Sequence, residues 1–235
     1  NPFECIKTNI NGAMNLIDAS IDQNVKKIVA LSTDKASSPI NLYGATKLAS
    51  DKLFVASNSS YAGGFKTTFS IVRYGNVIGS RGSIIPFFMS LKNKRESLTI
   101  TDERMTRFMI SLQEAVDTVW YAFDDMIGGE IYIKKIPSMK ILDIAKAIAP
   151  EHSYKIIGIR PGEKLHEQLI SSDESDSTFE YPDYYKILPS INDWKLDKLR
   201  VKDGIKVADG FNYSSDNNSK WMTKNDLRLW IDANI

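Results

Sequence analysis

The positions of apolar residues divide the chain into alternating helical and strand-like stretches. Ile10, Met14, Ile17 and Ile21 recur at helical spacing and predict one amphipathic helix over residues 3–22. Thr8, Asn9, Asn11 and Gly12 put poor helix formers in its middle, which calls for a local reason. Residues 25–32, VKKIVALS, are an apolar run between polar neighbours and predict a strand. After a loop with Pro39, a helix is predicted from about Tyr43, with Ala45, Leu48, Ala49, Val55 and Ala56 expected against the sheet. Residues 58–64 are small and polar and predict a loop, and the pairs Gly63-Gly64 and Gly128-Gly129 read as turns. A second strand, TTFSIVR, is predicted over residues 67–73.

Further along, a helix is expected over residues 84–93, with Pro86 in its first turn, and a short strand over 97–101. Ser111 and Glu114 have the spacing of a capping box, opening a helix whose Val116, Val119, Trp120 and Phe123 are expected in the core. Residues 130–134 predict a strand. Ser138 is expected to cap a helix with Ile141, Ala145 and Ile148 on one side, ended by Pro150. Residues 154–159 predict a strand leading into Arg160-Pro161-Gly162-Glu163-Lys164 and a short helix through Ile170. Residues 171–178 read as an acidic loop with nothing apolar to order it, and the stretch to about 218 as irregular structure around a second lobe. Thr223 starts a last helix with Leu227, Trp230 and Ile231 inward. Strands alternating with helices indicate an α/β fold.

Composition narrows the class. The chain has 235 residues, 43% hydrophobic and 25% charged, enough to bury a sizeable core in one or two domains. Thirty basic against 29 acidic residues leave a net charge of +1, which argues against a nucleic-acid surface. No apolar run reaches a membrane span and no signal peptide is visible, so a cytoplasmic protein with no membrane partner is expected. The single Cys5 excludes an intrachain disulfide and reads as a buried helical thiol; with His152 and His166 it makes no metal cluster, so no metal is expected.

Candidate chemistry gathers behind the first strand. Its carboxyl end delivers Ser32, Thr33, Asp34 and Lys35, where open α/β sheets bind ligands. Tyr43 and Lys47 follow four residues apart, hence on one helical face, and an ammonium beside a phenol favours its ionised, basic form. Tyr74-Gly75-Asn76-Val77 ends the second strand in the same way. Ser80-Arg81-Gly82-Ser83 precedes a helix start whose free N–H groups suit a phosphate. Arg160 offers a planar cation to a phosphate, and Glu163 can accept from ribose hydroxyls.

The strings STDK, NLYGATK, RYGNV and RPGEK resemble the extended short-chain dehydrogenase/reductases over essentially the whole chain. Within that family they are similar to the branch of configuration-inverting UDP-N-acetylglucosamine 4,6-dehydratases of pseudaminic acid (flagellin and surface glycan) synthesis. Retaining relatives usually carry Met at the place of Tyr43. The resemblance implies the second half of a Rossmann-type parallel sheet, residues 1–80, interleaved with a smaller α/β substrate lobe, residues 81–235. The Gly-rich dinucleotide turn, absent from this sequence, belongs upstream in that family, so these residues alone are expected to bind NADP weakly and to be inactive. The resemblance further implies NADP as cofactor, a UDP-sugar as substrate and self-association. Catalysis then falls to Tyr43 with Lys47, to Lys35 as the base at C5, to Asp34 as the acid at C6 and to Thr33 as polariser of the 4-ketone. Lys35 must be neutral and Asp34 protonated for these roles, which an ion pair between them opposes. Asn9, Ser32, Tyr43, Lys47, Asn76 and Val77 fall at the cofactor, and Asn76, Arg81, Gly82, Ser83, Thr99, Arg107, Arg160 and Glu163 at the substrate. Two alternatives stay open: another nucleotide-sugar enzyme (a 4-epimerase or retaining dehydratase), or an inactive piece that keeps some UDP-sugar binding.

Overall fold

The computed structural model describes residues 1–58, 66–189 and 198–234. The expected loop at 58–64 and its pair Gly63-Gly64 fall, apart from Asn58, outside the described residues. In chain order the elements are α1 (Pro2–Ile6), a π-helical turn (Lys7–Asn11), α2 (Gly12–Asp22), β1 (Lys27–Thr33), α3 (Leu42–Ala56), β2 (Thr68–Tyr74), β3 (Asn76–Val77), α4 (Ile84–Asn93), β4 (Leu98–Ile100) and β5 (Thr106–Ile110). There follow α5 (Leu112–Asp125), β6 (Ile131–Lys134), β7 (Ser138–Lys140), α6 (Ile141–Ile148), β8 (Tyr154–Ile156), β9 (Gln168–Ile170), β10 (Thr178–Glu180), β11 (Tyr184–Ile187), α7 (Lys198–Val201), β12 (Ile205–Lys206), β13 (Tyr213–Ser214) and α8 (Lys224–Asn234).

The chain forms two compact units. The first comprises residues 1–74, 115–135 and 168–213. Its sheet has the order β1-β2-β6-β11-β10-β12. β1, β2 and β6 run parallel, and β11, β10 and β12 continue the sheet antiparallel. Ser32 lies beside Arg73 and Thr33 beside Tyr74 in the β1–β2 register, so two carboxyl ends sit side by side. Stretch 178–206, expected to be irregular, thus supplies three strands. Its periodicity was hidden by Lys186, a charge buried in β11 because Asp125 pairs with it at 2.6 Å. The acidic stretch before it is a 3-10 helix, Ser172–Ser177, ordered not by apolar contacts but by a capping box between Ser171 and Glu174.

Two helices turn differently from their apolar pattern. The π turn adds a residue to the first helix and shifts its phase, so Ala13, Ile17 and Ile21 are buried while Met14 stays 47% exposed. On α5 Ala115, Thr118 and Ala122 are buried, Val119 and Phe123 pack partly against the core as expected, and Trp120, expected there too, is 64% exposed with Val116 also outside. Small residues face inward there because Met126, Val72 and Tyr132 already fill the space beneath.

The second unit comprises residues 75–114, 136–167 and 214–235. It holds the short sheets β3-β5-β7 and β4-β8. Its core joins Phe88 of α4, Ile100 of β4, Met109 of β5, Ile144 of α6 and Leu227 of α8. Ser111 and Glu114 close the expected capping box, Glu114 N donating to Ser111 Oγ at 3.2 Å and Ser111 N to Glu114 Oε2 at 2.9 Å. Ser138 caps no helix: it begins β7, and Lys140 occupies the N-cap of α6. No helix follows Lys164; the chain goes directly to the extended β9.

Candidate active site

The first unit builds one group of functional side chains at the carboxyl end of β1. Thr33 caps a single 3-10 turn, Asp34–Ala36. Its hydroxyl donates to Asp34 Oδ1 at 2.8 Å, and Lys35 Nζ donates to the same oxygen at 3.0 Å. Asp34 is 1% exposed, and its other oxygen, Oδ2, has no hydrogen-bond partner among the described residues. The ion pair between the expected acid and the expected base is therefore present.

Asn41 starts α3 by accepting from Gly44 N at 2.8 Å. Gly44 faces the Lys35 backbone so closely that a Cβ there would lie 2.3 Å from its carbonyl oxygen. This contact brings the first turn of α3, with Tyr43, against the turn of Asp34 and Lys35. Tyr43 is 46% exposed. Lys47 Nζ donates to Leu31 O at 3.0 Å and so spans from the helix to β1. Asn9 explains the irregular first helix. Its amide donates to Thr46 Oγ1 at 3.0 Å, and Thr46 donates to Tyr43 O at 2.8 Å, so the π turn reaches the backbone of Tyr43. Cys5 is only partly buried and lies 3.4 Å from the same hydroxyl.

Beneath this group lies a polar network that the apolar pattern did not signal. α3 turns Gly44, Thr46, Ser50, Asp51 and Phe54 inward, leaving Ala45 outside and Leu48, Ala49, Val55 and Ala56 partly covered. Ser32 Oγ donates to Asp51 Oδ2 at 2.6 Å. Arg73, 1% exposed, reaches Asp51 at 3.4 Å and Glu174 at 3.0 Å. Burial pushes the Asp51 carboxyl up, against the pull of Arg73, Ser32 and Lys47. Burial works against the Arg73 cation, yet Glu174 and Asp51 outweigh it and raise its pKa. Tyr74 is raised by burial and then by the neighbouring Tyr43. A Ser, Asp and Arg read separately look like surface residues; only the in-register pairing of Ser32 with Arg73 brings them together.

The second unit holds a cavity of about 580 Å³. Asn76, Gly82, Thr99, Arg107, Arg160 and Glu163 line it, as expected for substrate contacts, together with Pro86, Phe87, Phe88, Ile100, Met105 and Ile141. These apolar walls were not singled out from sequence, although the Pro86-Phe87-Phe88 run opening α4 is their signal. Two residues expected at the substrate do not line it: Arg81 is exposed before α4, and Ser83 is the N-cap of α4 without a side-chain cap bond. Val77, expected at the cofactor, pairs in β3 with Ile110. Arg107 lines the cavity but is largely a strut. Its guanidinium donates to the carbonyls of Thr106, Lys164 and Leu165 and lies 3.7 Å and 3.6 Å from Glu163 and Glu167. Arg160 is exposed and in no ion pair among the described residues, so its charge is open to a ligand. His166 Nδ1 pairs with Thr106 Oγ1 at 2.8 Å.

Comparison with known proteins gives the following. Residues 1–189 match the model of a family described as polysaccharide biosynthesis protein. A protein of Campylobacter jejuni subsp. jejuni serotype O:2 named UDP-N-acetylglucosamine 4,6-dehydratase (inverting) is 59% identical over 234 residues, covering 97% of this chain and 70% of that one. A Rickettsia massiliae protein named UDP-glucose 4-epimerase is 40% identical over 223 residues, covering 93% of this chain and 65% of that one. The structure superposes on an X-ray structure of Pen from Bacillus thuringiensis with TM-score 0.85 and 38% identity, over 99% of this chain and 70% of that chain. A structure of DesIV, a dTDP-glucose 4,6-dehydratase from Streptomyces venezuelae, matches with TM-score 0.60 and 20% identity, over 68% of this chain and 56% of that one, a likeness of fold.

Proposed function

This chain belongs to the polysaccharide biosynthesis protein family, and we propose that it dehydrates UDP-N-acetylglucosamine across C4 to C6 with inversion at C5. The observation that carries the reading is the junction of α3 with β1, where Gly44 presses the Tyr43 turn onto the Asp34–Lys35 pair. The identity with the inverting dehydratase supports the substrate. The first unit is read as the latter half of a nucleotide-binding domain and the second as the UDP-sugar lobe; the expected boundary at residue 80 falls at 74, and residues 115–135 and 168–213, expected in the lobe, belong to the first unit. In the second unit Arg160 is assigned to the diphosphate and the apolar walls of the cavity to the base.

The residues of the first unit fit a nicotinamide dinucleotide. Lys47 spends one of its three donors on Leu31 O, leaving others for ribose hydroxyls. A nicotinamide held there, which we assign as NADP, would supply the acceptor for the C4 hydride and the donor of hydride to C6. Tyr43 accepts the C4 hydroxyl proton, with Lys47 supplying the positive field. Thr33 turns its one hydroxyl proton from Asp34 Oδ1 to the 4-oxo group. Lys35 removes the C5 proton, which the ketone has acidified, and Asp34 protonates the departing C6 hydroxyl so that it leaves as water. The 3.0 Å ion pair by itself favours ammonium and carboxylate. These roles therefore require that one proton pass from Lys35 Nζ to Asp34 Oδ1 once bound substrate excludes water from the pair, giving amine and carboxylic acid. A proton delivered to the opposite face of C5 completes the inversion. We assign Asn9, Ser32, Asn76 and Val77 to the cofactor's surroundings, and Gly82, Thr99 and Glu163 to the substrate, with Arg81 and Ser83 at the helix start beside them.

The same reading places the protein in the cytoplasm, as a homo-oligomer making a 4-keto-6-deoxy sugar for pseudaminic acid on flagellin. A second reading, a UDP-sugar 4-epimerase, is favoured by the 40% identity to proteins of that name. Proton NMR of the reaction with UDP-N-acetylglucosamine decides. The dehydratase gives a C6 methyl group and a C5 configuration opposite to that of the substrate; the epimerase gives the C4 epimer with its C6 hydroxyl retained.

A further inference from the structure

Asp51 and Arg73 are two fully buried charges that none of the steps above uses. Asp51 stands one helical turn after Lys47 on α3. Its Oδ2 accepts from Ser32 Oγ at 2.6 Å and from Arg73 Nη2 at 3.4 Å. Ser32 and Arg73 are register partners on β1 and β2, so one carboxylate oxygen joins the catalytic helix to both parallel strands just where they end. Arg73 is itself fixed from the other side, Nη1 donating to Leu169 O at 3.0 Å and to both oxygens of Glu174 at 3.0 and 3.1 Å.

Stability alone is a poor reason for this arrangement. Buried ion pairs are expensive to desolvate, and well-packed apolar replacements are often neutral or stabilising. Nor is the cluster fully satisfied, since Arg73 Nε has no partner among the described residues. What a carboxylate offers that a leucine does not is direction: short, charge-assisted hydrogen bonds at set angles. Of the residues it joins, Ser32, Asp51 and Arg73 stand on the strand ends and the helix that carry or adjoin the reacting groups, while Leu169 and Glu174 hold Arg73 from the other side. Ser32 precedes Thr33, Asp34 and Lys35; Asp51 follows Lys47; Arg73 precedes Tyr74.

We propose that Asp51 and Arg73 are positioning residues, which hold the end of β1 at a fixed angle to the Tyr43–Lys47 face of α3. This rests on the dehydratase reading for its kinetic consequence. Misplacement of reacting groups by about 1 Å costs on the order of 100-fold in rate. Substrate binding is left to the second unit and does not depend on the pair.

The test uses the intact protein carrying Asp51→Leu with Arg73→Met. Expected is a melting temperature at or above that of the unaltered protein, a KM for UDP-N-acetylglucosamine within about threefold, and kcat lower by about 10- to 100-fold. Asp51→Asn, which keeps an acceptor for Ser32 and Arg73, restores kcat to within about threefold. Arg73→Lys keeps the charge but reaches one carboxylate at a time, and shows the same kcat loss at unchanged KM even where the double variant does not fold. Unaltered kcat in the double variant or in Arg73→Lys, or a loss that only tracks the unfolded fraction, overturns the proposal. Amide exchange reads the same device without turnover. If the unaltered protein leaves UDP-N-acetylglucosamine unchanged, the functional reading fails, and exchange still decides this one. Faster exchange confined to residues 31–35 and 42–47 in a folded variant supports positioning, and unchanged exchange there refutes it.

Discussion

Gly44 and Lys35 touch through backbone alone: a methyl group on Gly44 would stand 2.3 Å from the Lys35 carbonyl oxygen. The contact sets how closely the helix bearing Tyr43 approaches the turn bearing the ion pair. Gly44→Ala forces the two apart. The expected result is a stability loss of about 1–3 kcal/mol by denaturant titration. A kcat loss near 100-fold, larger than unfolding explains, accompanies it because the reacting groups no longer align, by about the same 1 Å argument.

Asp34 and Lys35 separate by isotope exchange. In deuterated water, Lys35→Met stops incorporation of solvent deuterium at C5, since the base is gone. Asp34→Asn removes the carboxylate that favours the Lys35 ammonium, so Lys35 loses its proton to solvent and that incorporation runs on, while water loss at C6 falls by about 10²–10⁴-fold. Mass spectrometry of recovered substrate and product reads both. Equal loss of the two steps in both variants contradicts the division of labour.

Arg107 and Arg160 line one cavity but differ in what holds them. Arg107→Ala removes the cation beside the Glu163 and Glu167 carboxylates and strips three carbonyls of a donor, so a destabilisation of about 3–5 kcal/mol is expected in thermal or chemical melts. Arg160→Ala leaves stability unchanged and raises KM for the UDP-sugar by about tenfold, measured by initial rates.

Asp125 gives the first unit a pH dependence. Burial pushes its carboxyl up, but hydrogen bonds from Lys186 and Lys202 outweigh that and hold it below the usual range. A carboxylate with a lowered folded-state pKa contributes stability in full above its unfolded value, near 3.9, and loses it as pH falls through the lower folded value. Asp125→Asn therefore flattens the fall in melting temperature below about pH 4. An identical slope in both proteins counts against the assignment.

Much of this architecture was legible in the chain. The order β1, α3, β2, the start of α4 behind Ser83 and the box of Ser111 with Glu114 follow from strand runs and cap residues, which act locally. What escaped was set by an irregular backbone or by partners far away. Met14 faces outward because the π turn just before it shifts the helical phase, and Trp120 because the space beneath α5 is already filled. Lys186 masked a strand because the Asp that neutralises it lies 61 residues earlier. The candidate site divides the same way. Its reacting residues stand in one short segment and can be read there, whereas Asp51, Arg73 and Glu174 come together only once β1 and β2 pair.

The central claim is that hydride leaves C4 of the sugar and returns at C6. The most direct measurement follows UDP-N-acetylglucosamine deuterated at C4 through reaction with the intact protein. The account predicts a 4-keto-6-deoxy product whose methyl group carries the C4 deuterium, with C5 inverted and bearing a solvent proton. Recovery of the label still at C4, in an epimer that keeps its C6 hydroxyl, contradicts it.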